Sequence, residues 1–446
     1  MALTGLDIYK LLPKTNCGEC GTPTCLAFAM ALAGKKTSLD KCPHVSAQAK
    51  TALESASAPP IQLVTIGTGP NKLEIGNETV MFRHEQTFYH PCGIAIEIPD
   101  NLPADEIKKR TQTINNLIFD RVGKKIHVEL IALRDVSHNP DTFANAVKTI
   151  TASSQLALVL VSFNPGIIEA GLKICASAKP LIYAANQENY QAMAELAKKY
   201  DCPLGAAGKN LDDLSDLTVK ITALGVKNLV IDPGSADLYR RLNDITQIRK
   251  LALKKTFRPF GFPIITFTPE NISPEEEPMY ATVFIAKYTG IVVVKGRAPW
   301  QILPLITLRL NIYTDPQKPI QIESKIYEIG AVTASSPVLV TTNFSLTYFT
   351  VEPEIEGSKV PSYILVVNTE GMSVLTAYAA DKLNEKVITK ALNDYNVKSK
   401  VTHKKVIIPG YISAMSGKLE AESGWEVMVG PREASGIPTY LKNVWK

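Results

Sequence analysis

Four of the chain's seven cysteines, Cys17, Cys20, Cys25 and Cys42, fall within its first 42 residues, with two, four and sixteen residues between successive members. Soft thiolates crowded in this way suit an iron–sulfur cluster or a structural zinc. Cys17 and Cys20 sit in Asn-Cys-Gly-Glu-Cys-Gly, where Gly18 and Gly21 let the backbone turn tightly enough for both sulfurs to converge. Cys25 opens an Ala- and Leu-rich run to Ala33 that predicts a helix. A thiolate at that helix start is favoured by the dipole and by free amide donors. Cys42 precedes Pro43, as the last ligand of bacterial ferredoxin runs often does. Zinc is the alternative. Zinc ribbons, however, usually pair close knuckles at both ends, whereas here three cysteines cluster and the fourth stands alone. The pattern therefore favours a [4Fe–4S] cluster. His44 could substitute for a cysteine as a ligand but reads first as a surface residue beside the site, and Cys92, Cys175 and Cys202 read as buried small apolar side chains.

A second set of candidates lies near the other end. Strand-like Tyr363–Val367 leads through Asn368-Thr-Glu-Gly-Met-Ser into a helix expected from about Ser373 to Asn393. Strand, glycine-bearing loop and helix start together turn backbone amides toward a ligand. Gly371 allows close approach of the backbone, and Ser373 or Thr369 is a natural N-cap. The loops beginning at Pro409 and at Gly430 would reach the same sheet edge if the strands are parallel. Their small residues suit a broad, flat ligand, although ordinary turns would read the same way. The segment lacks G-x-G-x-x-G and G-x-x-x-x-G-K-[ST], which argues against a dinucleotide or a nucleoside triphosphate. Its one histidine, His403, stands in Thr-His-Lys-Lys rather than in an Asp-x-His-x-x-Gly loop.

These groups need a large scaffold, and 446 residues imply two or three domains. A net charge of +5 is too dilute over this length to suggest nucleic acid. No apolar run of about 18 residues and no signal-like start appear, and cysteines kept as thiolate ligands, with three unpaired others, point to a soluble protein of a reducing cytoplasm. Ser46–Pro60 reads as a linker, and Ile61–Tyr89 as a β-rich stretch with a hairpin between Val64-Thr-Ile-Gly and Val80-Met-Phe. From Cys92 onward, apolar runs alternate with helical patterns. The runs begin at Gly93, Ile126, Leu156, Pro180, Pro203, Asn228, Pro263 and Gly290. Such alternation predicts a parallel sheet covered on both faces, here a (β/α)8 TIM barrel, with an open doubly wound sheet as the runner-up. Asp135, Asn164, Asn186, Asn210 and Asp232 fall at strand ends. They read first as helix caps and turns, and second as a polar crown for a pterin. His84, His90, His127 and His138 show no metal-binding spacing. Beyond about Asp315, strands are expected at Pro337–Val340, Leu346–Val351, Tyr363–Val367, Val406–Ile408 and Glu426–Val429. With the helix, whose Leu375, Tyr378, Leu383 and Val387 are expected to face the core, they give an α/β, Rossmann-like domain. The expected partition is 1–58 for the cluster domain, 59–90 for a linker and hairpin, 91–315 for the barrel and 316–446 for a cofactor-binding domain.

The Cys17/Cys20/Cys25/Cys42 spacing, Asn368-Thr-Glu-Gly-Met-Ser-Val-Leu-Thr and Val429-Gly-Pro-Arg-Glu-Ala-Ser-Gly-Ile-Pro occur in one chain that resembles a known family. The family is that of the large (gamma) subunits of the corrinoid/iron–sulfur protein of the reductive acetyl-CoA (Wood–Ljungdahl) pathway. The resemblance implies that the four cysteines ligate a [4Fe–4S] cluster and that the C-terminal domain binds a corrinoid (cobamide). Val340, Thr341, Thr342, Asn343 and Leu346 would line it. So would Glu370, Gly371, Met372, Ser373 and Thr376, and the loop Gly430, Pro431, Arg432, Glu433 and Ala434. It further implies a heterodimer with a small corrinoid protein subunit and a role as the methyl-carrying component of a methyltransferase system. A methyltransferase would deliver the methyl group of methyltetrahydrofolate to Co(I), and the carrier would pass it to the nickel site of acetyl-CoA synthase/CO dehydrogenase. With no histidine loop the cobamide would be base-off. The cluster, fed by a low-potential electron donor, would reduce cobalt that has slipped to Co(II). Linkers near Ser46–Pro60 and Tyr313–Ser324 would let the corrinoid visit its partners. The alternatives are a pterin-dependent methyltransferase barrel with a structural cluster, and an iron–sulfur electron-transfer adaptor.

Overall fold

The computed structural model describes residues 5–33, 37, 39–46, 59–121, 124–235, 237–314 and 319–445. Most of the first expected linker (47–58) and the middle of the second (315–318) lie outside the described residues. The chain divides into two compact units, residues 1–118 with 127–313 and residues 119–126 with 314–446.

At the front of the first unit, helices Gly5–Leu11 and Cys25–Ala33 pack together. Ile8, Leu12, Phe28 and Ala29 form a small core that also takes in Cys25 and Cys42. The helix expected to open at Cys25 does so, and the Thr24 hydroxyl caps it by accepting the Ala27 amide at 3.1 Å.

Eight parallel strands close into a barrel in simple chain order: Gly93–Pro99, Leu130–Arg134, Ala157–Val161, Leu181–Ala185, Leu204–Ala207, Leu229–Asp232, Ile264–Phe267 and Thr289–Val294. A helix follows each strand, from Ala104–Asn115 to Pro299–Tyr313. Ala95, Leu130, Val159, Leu181, Val230, Ile265 and Ile291 fill the interior. The antiparallel hairpin Val64–Ile66/Leu73–Ile75 adds Val64, Ile66, Leu73 and Ile75 to that core. Leu73 lies against Gly93, the first residue of its strand, so the hairpin plugs the amino ends of the strands. The closed topology bears out the barrel over the open sheet.

Two local expectations need correction. The hairpin partner of Val64–Ile66 is Leu73–Ile75, whereas Val80-Met-Phe is a turn in which the Glu85 carboxylate accepts the amides of Met81 and Phe82, each at 3.1 Å. The apolar run from Ile126 is two strands. Lys124–His127 pairs in a separate ribbon with Ile118–Arg121, and only Leu130–Arg134 joins the barrel.

The second unit contains a five-stranded sheet ordered Ile326–Ile329, Ser362–Val367, Val338–Thr342, Lys405–Ile408, Glu426–Val429. All neighbours are parallel except the first pair. Alternate strand residues feed two cores, as a sheet covered on both faces requires. Val338, Val340, Leu365 and Ile408 pack with Leu383, Ile388 and Leu419 on one side. Leu339, Ile364 and Ile407 pack with Tyr348, Ile355 and Leu441 on the other.

Here too some sequence expectations fail. Leu346-Thr-Tyr-Phe-Thr-Val lies inside a helix, Ser345–Ser358, and not in a strand. Its aromatic and β-branched residues favour strands, but Tyr348 and Ile355, two helical turns apart, anchor a buried stripe, and burial wins. The edge strand Ile326–Ile329 was not expected. The long helix is two, Val374–Ala379 and Glu385–Asp394. Between them Asp381 takes a left-handed φ of 55°, and Asn384 starts the next helix by accepting the Val387 amide. Leu383 is fully buried as expected and Val387 packs against that core, but Leu375 and Tyr378 are exposed.

Candidate functional site

The cysteine loop is built by backbone turns. Asn16, Gly18 and Gly21 have φ of 49°, 75° and 82°, and the Gly21 amide donates to Gly18 O at 2.9 Å. A Cβ at Gly21 would meet nothing within 4 Å, so the left-handed conformation and not crowding calls for glycine there. The Asn16 side chain accepts the Cys25 amide at 2.8 Å, tying the loop to the helix it precedes. Cys20 packs against the cluster that buries Cys25 and Cys42, while Cys17 is exposed. His44 lies at the surface as expected, and its Nε2 meets Glu19 Oε2 at 2.9 Å. Ligand atoms of Cys17, Glu19 and His44 lie within 4.8 Å of one another. Four thiols, none in a disulfide, are the donor type a thiolate-bound metal centre needs, but among the described residues the only such ligand atoms that converge are those of Cys17, Glu19 and His44, and Cys20, Cys25 and Cys42 are not in that group.

In the second unit the four parallel strands run, in chain order, 2-1-3-4 across the sheet. The order in which successive strands are added across the sheet reverses between Val338–Thr342 and Lys405–Ile408, and a crevice at the carboxyl ends of the strands is expected at such a point. A cavity of about 360 Å³ lies there. Its wall includes Val340, Thr341, Leu346, Ser373, Gly430, Pro431, Arg432 and Ala434, so all three loops reach it, with Pro409 and Tyr411 representing the middle one.

The remaining residues singled out from the sequence lie off this wall. Thr342 and Asn343 are buried beneath it. Asn343 Oδ1 accepts the amides of Thr369 and Gly371, each at 3.0 Å, and the Thr369 hydroxyl at 3.1 Å. Its Nδ2 donates to Gln321 and Asn368. Asn343 thus holds the glycine loop in place. Thr369 is no helix cap, since its hydroxyl is used here. Ser373 occupies the N-cap position without a side-chain cap bond, and its hydroxyl meets that of Thr376 at 3.0 Å. Gly371 has φ of 78°, and a Cβ there would come within 2.7 Å of Gln321 Cγ. Glu370 pairs with Lys382 at 2.6 Å, Met372 packs on the core, and Glu433 takes the Tyr411 hydroxyl.

Sequence reasoning missed Thr347, Thr350 and Val351, which line the cavity from the helix read as a strand, whereas Phe344, within the expected segment Val340–Leu346, does line it. It also missed Leu375, which reaches the cavity from the face assigned to the core. One wall hydroxyl, Thr341 Oγ1, is buried without a partner, an observation that fits a polar ligand atom at the cavity. His403 precedes the amino end of its strand, where Nε2 meets Ser336 O at 2.9 Å and Nδ1 accepts the Lys405 amide at 3.2 Å.

The carboxyl end of the barrel uses its polar groups internally. Asn164 and Asn210 cap helices by accepting the amides of Gly166 and Asp213. Asn186 accepts the amides of Glu188 and Asn189, and Asp135 accepts from the His138 amide and the Ser162 hydroxyl. Asp232 is buried, taking the Tyr183 hydroxyl at 2.7 Å and the Gly234 amide at 2.8 Å, with Arg241 at 3.4 Å. Burial, with the Asp232 carboxylate beside it, holds the Tyr183 hydroxyl well above its ordinary pKa. Capping and turn chemistry therefore accounts for these asparagines, and an internal ion pair for Asp232.

Residues 63–441 match the family described as CO dehydrogenase/acetyl-CoA synthase delta subunit, and residues 12–44 match an Fe-S cluster family. The corrinoid/iron-sulfur protein large subunit of Moorella thermoacetica is 50% identical over 99% of both chains. The acetyl-CoA decarbonylase/synthase complex subunit gamma of Methanothermobacter thermautotrophicus is 37% identical over the same shares. Among solved structures, the 7,8-dihydropteroate synthase of Vibrio fischeri aligns with 51% of this chain and 95% of its own, at 13% identity and a TM-score of 0.39. A likeness that distant bears on neither substrate nor mechanism. With relatives shared from end to end and a family match over residues 63–441, the chain belongs to the CO dehydrogenase/acetyl-CoA synthase subunit family that includes the large subunits of corrinoid/iron–sulfur proteins.

Proposed function

We propose that the chain is the corrinoid- and cluster-bearing component of a methyl-carrying system in the reductive acetyl-CoA pathway. It would accept the methyl group of methyltetrahydrofolate by way of a methyltransferase and pass it to acetyl-CoA synthase. The observation that carries this reading is the cavity at the reversal point of the sheet in residues 319–445. Its volume is about 360 Å³, and its wall, with Val340, Thr341, Leu346, Ser373, Gly430, Pro431, Arg432 and Ala434, would hold part of such a cofactor. Leu346 and Leu375, 64% and 50% exposed, offer apolar contact at that cavity, and a small partner subunit would complete the site. Thr341 supplies a hydroxyl with no other partner, the Asn343-held loop supplies Ser373, and Gly430, Pro431, Arg432 and Ala434 line the far side.

When bound, a corrinoid would supply a cobalt nucleophile for the methyl group, and a [4Fe–4S] cluster at Cys17, Cys20, Cys25 and Cys42 would supply an electron to restore it. Both ring nitrogens of His403 are engaged before the amino end of its strand, and no other histidine lies in the second unit. This supports a base-off cobamide with no protein imidazole. Domains at 1–58, 59–90, 91–315 and 316–446, the last Rossmann-like, remain our partition. The free thiols support a reducing cytoplasm. No helix among the described residues is long and apolar enough to cross a membrane.

Anaerobically purified protein should show corrin absorption and contain cobalt and iron. Cys20→Ala should abolish reductive reactivation yet spare methyl transfer once the corrinoid is reduced chemically. Colourless protein, or zinc in place of iron and cobalt, would overturn the reading.

A further inference from the structure

The cysteine site is assembled from two separate pieces of chain, and each is locked within itself. In residues 16–25 the Asn16 side chain holds the Cys25 amide at 2.8 Å and Gly21 bonds to Gly18 at 2.9 Å. In the other piece the Cys42 amide donates to Leu39 O at 3.0 Å. The two pieces meet at the surface through Glu19 and His44, each adjacent to or near a cysteine, whose side chains lie 2.9 Å apart. This contact is on the side of Cys17, the exposed cysteine, with the three ligand atoms within 4.8 Å of one another.

We propose that Glu19 and His44 are positioning residues that clasp the Cys42 segment to the Cys17–Cys20 loop and shield the exposed edge of the metal centre. The inference rests on the reading of these cysteines as cluster ligands. Partners outside the ligand shell fix ligand orientation, and solvent exposure and nearby charge tune the potential of an iron–sulfur centre. Cys17 is already exposed with the clasp formed, and an open clasp exposes the site to water further. Water stabilises the more negatively charged, reduced cluster, so the midpoint rises. The same opening gives a chelator access to iron.

The test uses the full-length holoprotein with Glu19→Ala, His44→Ala, the double variant and His44→Gln, which retains a hydrogen-bonding side chain. Iron and cobalt are quantified first. The midpoint is then read by redox titration followed by electron paramagnetic resonance, and iron loss to a chelator is timed. Each single alanine variant should raise the midpoint and speed iron loss by about tenfold, the low end of such outer-shell effects. The double variant should do no more than the larger single, and His44→Gln should approach the parent protein. Unchanged midpoints and iron loss, or fully additive effects, would overturn the clasp while leaving the cluster assignment intact. Parent protein without iron would instead overturn the assignment beneath it.

Discussion

Asn343 Oδ1 accepts the Gly371 amide across 28 residues of chain at 3.0 Å, so one buried side chain at the end of a central strand holds the loop that follows its neighbour. The same oxygen takes the Thr369 amide. Asn343→Ala would leave two buried amides without an acceptor and should cost roughly 2–4 kcal/mol. Urea unfolding of the cofactor-free protein should report that loss, and corrinoid retained through purification should fall with it. Full stability in the variant would show that the loop holds itself.

Leu346 and Leu375 provide the complementary test, since both are exposed at the cavity and neither supports a core. Leu346→Asp and Leu375→Asp should change folding stability by less than about 0.5 kcal/mol, as exposed substitutions usually do. Each should nevertheless strip corrinoid from the purified protein, measured as cobalt per chain. Normal cobalt content in both would move the proposed cofactor to another surface.

The same residues show what sequence could and could not convey. The barrel was legible because each strand is buried on both faces and so reads as an apolar run, with capping asparagines such as Asn164 and Asn210 marking where helices begin. The cysteine spacing was legible because ligand number and softness restrict the chemistry. The cavity wall was only half legible. Leu346-Thr-Tyr-Phe-Thr-Val has strand composition, and only its tertiary partners make it a helix. Leu375 sits at a helical spacing that resembles a core position, but the break at Asp381 re-aims the following turn, so Leu383 is buried while Leu375 is not. Asn343 looked like a ligand contact because nothing local reveals that its partners lie 26 and 28 residues onward.

Cys92 predicts an alkaline limit to stability. Burial, with Glu129 adding to it and Arg309 opposing it, pushes this thiol up to about 12. In the unfolded chain it would ionise near pH 8.5. The folded pKa is the raised one, so the contribution is complete below about pH 8.5 and is lost as pH climbs toward about 12. The stability difference between the parent and Cys92→Ala should therefore shrink by about 1.4 kcal/mol per pH unit above roughly pH 9. Urea unfolding under anaerobic conditions at several pH values checks this. A difference that stays flat to pH 10.5 would contradict it.

Tyr183 and Asp232 decide whether the barrel is scaffold or reaction centre. The Tyr183 hydroxyl donates to Asp232 at 2.7 Å in a buried pair that Arg241 and the Gly234 amide complete. Tyr183→Phe removes one donor from a carboxylate that cannot reach water, at a cost of about 1–3 kcal/mol. For a unit of this size that lowers the melting temperature by about 2–4 °C per kcal/mol. If the barrel only carries the other sites, methyl transfer per cobalt-loaded chain should match the parent at temperatures where both are folded. If transfer from methyltetrahydrofolate fell tenfold while melting was unchanged, Tyr183 would belong to a substrate site and the pterin reading of the barrel mouth would return. The internal partners of Asp135, Asn186 and Asp232 favour the first outcome, because a crown already saturated by its own chain has few groups to offer a ligand.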